Sequence, residues 1–98
     1  MNYKNYDPEF MRKFDTLFMN MTVRAILTIG HRQNGCQSDI SYDTRATFSH
    51  ITKNVLPRLR ELALITERKS GKKVIVSLTE KGRQVFKRLD EITNIIGE

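Results

Sequence analysis

The segment of residues 38–78 constrains the fold most, because three kinds of local structure follow one another within it. A short polar helix is predicted from Ser38 to Arg45, with Ser38 as its cap and with Ile40 and Tyr42 packed inward. The turn 44–47 and a longer helix through Leu62 come next. Two alternating stretches, 65–68 and 74–78, flank a Ser70-Gly71 turn. This order predicts two helices joined by a turn and followed by a β-hairpin.

The longer helix of this segment is amphipathic. Its apolar residues recur at helical spacing, at Phe48, Ile51, Val55, Leu56, Leu59 and Leu62. The opposite face carries His50, Lys53, Asn54, Pro57 and Glu61. A helix that reads base edges needs such a polar face, but an ordinary surface helix has the same pattern. Pro57 lacks an N–H and crowds the carbonyl of Lys53, so the helix either kinks at 55–56 or divides in two.

The hairpin that follows is strongly basic at its tip. Arg68, Lys69, Lys72 and Lys73 place four positive charges around the turn. Lysines on a short hairpin also protect an exposed strand edge against aggregation. Because the cluster follows a candidate reading helix, the pattern favours contact with DNA phosphates or the minor groove.

Two stretches carry a resemblance to a known family. Residues 59–68 read leucine, two polar residues, apolar, small, leucine, isoleucine and then polar-basic residues, and residues 76–83 read VSLTEKGR. Both resemble the helix-to-wing and strand-to-helix junctions of winged helix-turn-helix transcription regulators of the MarR type, over about Thr22 to Leu89. The small position is Ala63, where that family often has the glycine of a left-handed cap. The resemblance implies double-stranded DNA as partner, although such domains sometimes serve only as protein–protein modules.

The expected architecture is mainly α with a small β-hairpin wing, an α+β winged helix-turn-helix with extra terminal helices. We expect one domain over residues 1–98: an N-terminal helix at 8–21, a core at 22–78 and a C-terminal helix at 79–96. Thr22 and Thr79 are predicted helix caps, and Asn34-Gly35 is a predicted turn. Cys36-Gln37 is the predicted position of a short first strand.

The two terminal helices each carry an apolar stripe. The first comprises Phe10, Phe14, Leu17 and Phe18, and the second comprises Val85, Leu89, Ile92 and Ile96. They either cover the core of their own domain or form a dimer interface. The spacing of the second stripe is close to that of a helix-pairing seam, and it predicts a homodimer.

Composition restricts the possible functions. The 98 residues carry a formal net charge of +6. Residues 1–46 hold six Lys and Arg against five Asp and Glu, whereas residues 47–98 hold eleven against six, which favours a polyanionic partner. No catalytic triad, metal-ligand spacing or phosphate-binding glycine loop is present in the sequence, which predicts no enzyme, no metal and no cofactor. A single cysteine, Cys36, and the lack of a long apolar run predict a cytoplasmic protein that does not span a membrane.

The sequence therefore predicts a sequence-specific DNA-binding transcription regulator, acting as a homodimeric repressor. The predicted DNA contacts outside the hairpin are Arg45, Thr47, Ser49, His50, Lys53 and Asn54. Asn54 suits adenine and Lys53 suits guanine. Two alternatives remain open: a winged-helix interaction module in a transcription, replication or segregation complex, and a nonspecific DNA-coating protein. The sequence does not identify a small-molecule effector.

Overall fold

A computed structural model describes Pro8, Glu9 and residues 20–97. In this part of the chain the elements follow the predicted order. Helix α1 spans Asn20–Arg32, and α2 spans Gln37–Thr44. Helix α3 is continuous through Phe48–His50, Ile51–Val55 and Leu56–Glu61. Strands β1 (Ile65–Ser70) and β2 (Lys73–Leu78) form the hairpin, and α4 spans Glu80–Ile96. The mainly helical fold with a small β-hairpin is thus confirmed.

Helix α1 crosses the centre of the domain and buries Ala25, Ile26 and Ile29. Thr22 lies inside this helix and is fully buried, so its predicted role as a helix cap is wrong. Its hydroxyl oxygen has no hydrogen-bond partner among the described residues. The predicted turn after the helix is confirmed, because Gln33 and Asn34 both adopt left-handed backbone conformations there.

Helix α2 begins two residues earlier than predicted, because Cys36 and not Ser38 occupies the capping position. The carboxylate of Asp39 accepts hydrogen bonds from the backbone N–H of Cys36 (2.9 Å) and from its thiol (3.2 Å). These bonds, the backbone one first, lower the pKa of Asp39 below its usual range. Ile40 is buried as predicted, but Tyr42 is 82% exposed, and its predicted packing is wrong.

Helix α3 accommodates Pro57 by a local change in its backbone hydrogen-bond pattern. Residues Ile51–Val55 form a π-helical turn, in which the N–H of Leu56 donates to the carbonyl of Ile51. The wider turn accommodates Pro57, which cannot donate and would crowd the carbonyl four residues earlier. The helix therefore runs through 55–56 without dividing in two. Its inner side buries Ile51, Val55, Leu56 and Leu59 as predicted.

The hairpin is regular, and its register is set by the turn. Ile65 pairs with Leu78 and Ser70 with Lys73, leaving Gly71 and Lys72 as the two loop residues. Gly71 has φ +62°, a conformation that glycine adopts without strain. The predicted first strand is reduced to one bridge between Cys36 and Ile75, reinforced by the N–H of Val76 donating to the carbonyl of Gly35 (2.9 Å).

Helix α4 packs back onto this core. Thr79 caps it as predicted, because its hydroxyl accepts from the N–H of Gly82 (2.9 Å). Leu89 belongs to the buried core, and Val85 and Phe86 pack against that core. His31 of α1 also contacts this helix, with Nε2 2.9 Å from the carboxylate of Asp90 and its ring edge-on to Phe86. None of the described helices is both long and apolar enough to cross a membrane.

Candidate nucleic-acid interface

The turn between α2 and α3 is held by its own side chains and backbone. Arg45 adopts a left-handed conformation (φ 60°), and its N–H ends α2 by donating to carbonyls of the last turn. The hydroxyl of Ser41 donates to the carbonyl of Ala46 (2.6 Å). Thr47 then caps α3 by accepting from the N–H of His50 (3.0 Å). This closely bonded turn fixes the direction in which α3 leaves α2.

The outer side of α3 presents polar groups to solvent. Ser49, Lys53 and Asn54 are exposed, and His50 is half-buried. Asn54 Nδ2 and His50 Nδ1 lie 3.2 Å apart, within hydrogen-bond distance of each other. The other polar atoms of these two side chains, Asn54 Oδ1 and His50 Nε2, have no hydrogen-bond partner among the described residues. The helix therefore presents an imidazole, an amide and an ammonium group within its first two turns.

The hairpin presents its charge without internal neutralisation at the tip. Arg68, Lys69, Lys72 and Lys73 are exposed, and none forms an ion pair with another described residue. The one carboxylate of β1, Glu67, is engaged at the base of the hairpin by Arg60 of α3 and by Gln37 Nε2 (3.2 Å). The four cations are consequently free to bind an anion beyond the tip. All predicted DNA-contact residues therefore lie on the α2–α3 turn, the outer side of α3 or the hairpin.

One aromatic residue at the start of α3 was assigned to the wrong environment by its periodicity. Phe48 is 51% exposed, although its spacing from Ile51 and Val55 places it on the apolar stripe. It is the first residue of the helix, and this end projects beyond the core that buries the following turns. The sequence signal for this position was the adjacent Thr47 cap, which marks Phe48 as a terminal residue.

The second apolar stripe divides into an inner and an outer half. Leu89 is 8% exposed and Val85 is half-buried, so both contact the core of their own domain. Ile92, Ile95 and Ile96 are 51%, 66% and 76% exposed. The stripe Phe10, Phe14, Leu17 and Phe18 lies outside the described residues. The exposed end of α4 is thus the part of the predicted seam that remains available for association.

Titratable side chains elsewhere in the domain form hydrogen bonds and ion pairs with one another. In the part of the chain that the structure describes, no three His, Cys, Asp or Glu side chains lie close enough together to bind a metal ion. Cys36 is buried and bonded to Ser38 and Asp39. Arg32 pairs with Asp43 (2.6 Å), which lowers the pKa of that carboxyl and fastens α1 to α2. The bonds of Cys36 thus lie at the start of α2, whereas the pair Arg32–Asp43 joins α1 to α2.

Two helices joined by a fixed turn and followed by an antiparallel hairpin define a winged-helix domain. The chain belongs to the family described as the DUF6293 C-terminal winged helix domain, whose model matches residues 7–89. The resemblance to MarR-type winged helices stated from the sequence is confirmed at the level of the fold.

Solved structures share this fold at low sequence identity. AF1382 from Archaeoglobus fulgidus has a TM-score of 0.75 and 17% identity, covering 87% of this chain and 97% of its own. MepR, a transcription regulator of a Staphylococcus aureus multidrug efflux pump, has a TM-score of 0.74 and 17% identity, covering 97% of this chain and 69% of its own. Streptococcus pneumoniae FabT, solved with DNA, has a TM-score of 0.71 and 18% identity, and the match covers 88% of this chain and 66% of the FabT chain. No curated protein matches the sequence.

Proposed function

We propose that this protein is a sequence-specific double-stranded DNA-binding transcription regulator that acts as a homodimeric repressor. One observation carries the proposal: the outer side of α3 presents the polar side chains of His50, Lys53 and Asn54, and the hairpin that follows carries four cations that are unpaired among the described residues. The winged-helix fold of FabT and MepR, which have been solved in complex with DNA, supports it.

Each exposed group has a defined task in the proposed complex. Helix α3 enters the major groove, where Asn54 pairs with adenine and Lys53 with guanine. Thr47, Ser49 and His50 contact base edges or the adjoining backbone. Arg45 and the hairpin cations Arg68, Lys69, Lys72 and Lys73 bind phosphates or the minor groove, and they set affinity and orientation.

The homodimer is proposed from the exposed end of α4. Ile92, Ile95 and Ile96 form an apolar surface at the helix end, and such surfaces commonly mark association sites. Two copies related by a dyad would place their α3 helices in half-sites about 34 Å apart. The predicted first stripe, Phe10, Phe14, Leu17 and Phe18, is proposed to pack alongside.

Sedimentation equilibrium tests the dimer. Wild type is expected to sediment as a dimer of the 11.5 kDa chain at tens of micromolar. Ile92→Glu should give folded monomers that bind a palindromic site weakly, whereas Leu89→Glu is unsuitable because Leu89 lies in the core. A wild-type monomer at these concentrations would refute the proposed interface.

Selection of bound sequences from a random duplex pool tests the function. We expect enrichment of an inverted repeat whose half-sites match the dimer. Binding without enrichment would instead identify a nonspecific DNA-coating protein, and no binding would identify a protein-interaction module. Repression is tested by placing the selected site over a promoter and measuring transcription with and without the protein. Increased transcription would overturn the repressor assignment.

A further inference from the structure

Phe48 is an exposed aromatic residue at the start of α3. We propose that its ring contacts the 5-methyl group of a thymine in the major groove and thereby helps to determine which base is read. The proposal rests on the DNA-binding function proposed above and adds one specific subsite to it. It makes Phe48 a specificity-determining residue rather than a member of the core.

The exposure of Phe48 requires an explanation, because a polar residue at this position would not expose an apolar ring to water. Half of the side chain faces solvent, while Ile51, on the same helix, is completely buried. A phenyl ring left in water forgoes much of the transfer free energy that burial would provide. Nothing in the backbone demands an aromatic residue here, since Thr47 supplies the cap and Phe48 contributes only its carbonyl, which accepts from the Thr52 hydroxyl (2.9 Å).

The position of Phe48 selects the kind of partner. The first turn of a recognition helix is the part that reaches base edges. Phe48 follows the exposed Arg45 and Thr47 and precedes the exposed Ser49, so the ring is one apolar group surrounded by hydrogen-bonding ones. A protein partner that buried this small patch would also have to desolvate those polar groups and the nearby cations. A DNA groove satisfies the polar groups and the ring together.

The chemistry of the major groove then identifies the contact. Its floor presents hydrogen-bond donors and acceptors at each base pair, and the apolar feature among them is the C5-methyl of thymine. A phenyl ring can neither donate nor accept a conventional hydrogen bond, so it gains most by covering that methyl group. Removing one methyl group from such a contact should weaken binding about fourfold.

Uracil substitution tests the contact without changing any hydrogen-bonding group of the DNA. In the sequence obtained by selection, each thymine is replaced in turn by uracil, and dissociation constants are measured for wild type and for Phe48→Ser. At one thymine of each half-site, uracil should weaken wild-type binding about fourfold. The same replacement should change binding of Phe48→Ser by less than about 1.5-fold. Phe48→Leu, which keeps an apolar group, should retain part of the effect.

Tyr42 provides the matched control. It is the other highly exposed aromatic residue of the described helix-turn-helix, but it lies on α2. Tyr42→Ser removes a similar exposed ring, and it should leave the uracil effect unchanged. Should Phe48→Ser fail to fold, which circular dichroism would reveal, Phe48→Ala and the wild-type uracil series take its place.

Each result decides the proposal. It is overturned if no thymine shows a uracil effect in wild type, if the selected site contains no thymine, or if the effect is equal in wild type and in the Phe48 variants. Those results would leave the DNA-binding function standing, because specific binding would already have been measured. Absence of DNA binding in the selection itself would instead overturn the function and this subsite together.

Discussion

The hydroxyl of Thr79 donates to the carbonyl oxygen of Ala63 at 2.7 Å, and this bond joins the start of α4 to the end of α3. The backbone N–H of Thr79 also donates to the carbonyl of the next residue, Leu64 (2.9 Å). Ala63, whose carbonyl accepts the first of these bonds, has a left-handed backbone conformation with φ 59°. The hairpin therefore begins and ends at one bonded junction, which fixes the position of the basic tip relative to α3.

Ala63→Gly should stabilise the domain. A left-handed alanine costs about 1–2 kcal/mol, and glycine removes that strain. In the opposite direction, the greater freedom of glycine stabilises the unfolded state by about 0.4–1 kcal/mol. We expect the free energy of unfolding to rise by about 0.5–1 kcal/mol in urea titrations. Gly71→Ala is the reverse control: its φ is also left-handed and its surroundings are open, so it should lose about 1 kcal/mol. Equal stability of Ala63→Gly and wild type would contradict the strain.

Gly82→Ala should be strongly destabilising. Gly82 lies in the first turn of α4, and a methyl group there would overlap the backbone carbonyl oxygen of Leu64, which cannot move without disturbing the same junction. The expected loss is about 3 kcal/mol, measured by thermal or urea unfolding. The control is Gly97→Ala, where the nearest atom lies 3.4 Å away and the change should stay within about 0.5 kcal/mol. Similar stabilities for the two variants would show that α4 approaches the carbonyl of Leu64 less closely.

Lys53→Ala and Asn54→Ala should each weaken binding to the selected site by about 1–3 kcal/mol, while affinity for unrelated DNA changes little. Both side chains are exposed on α3, and Asn54 is oriented by its bond to His50. Fluorescence anisotropy with specific and scrambled duplexes provides the comparison. Lys81→Ala and Asn94→Ala, exposed on α4, are the controls. If both α3 variants bind the selected site like wild type, α3 is not the reading helix.

Replacing Lys69, Lys72 and Lys73 together by Gln should lower affinity for specific and scrambled DNA by the same factor. Each lost phosphate contact should flatten the slope of log affinity against log salt by about 0.9. The matched control replaces Lys81, Lys87 and Arg88 of α4, which removes the same charge elsewhere and should change the slope much less. An unchanged slope in the hairpin variant would place the tip away from the duplex.

The sequence by itself determined the order of the elements and most of the core. Helical spacing placed Ile51, Val55 and Leu59 on one buried side, and the Ser70-Gly71 signal located the hairpin turn within a residue. These features follow from local chemistry: a period of apolar residues, a cap, or a residue that tolerates a given φ. The candidate interface was predictable for the same reason, since exposed polar residues lie opposite such a stripe.

Only the tertiary structure decided where each element ends and how far it projects from the core. Periodicity specifies a direction around a helix but not the depth of the neighbouring core, so Phe48 is exposed although its spacing suggested burial. Tyr42, which was expected to pack inward, is exposed as well. Local preference likewise disfavours a left-handed Ala63 and a proline within α3. The structure accommodates the first through bonds from Thr79 and the second through a π-helical turn. Contacts distant in sequence offset the local cost in each case, and a residue-by-residue reading of the sequence does not contain those contacts.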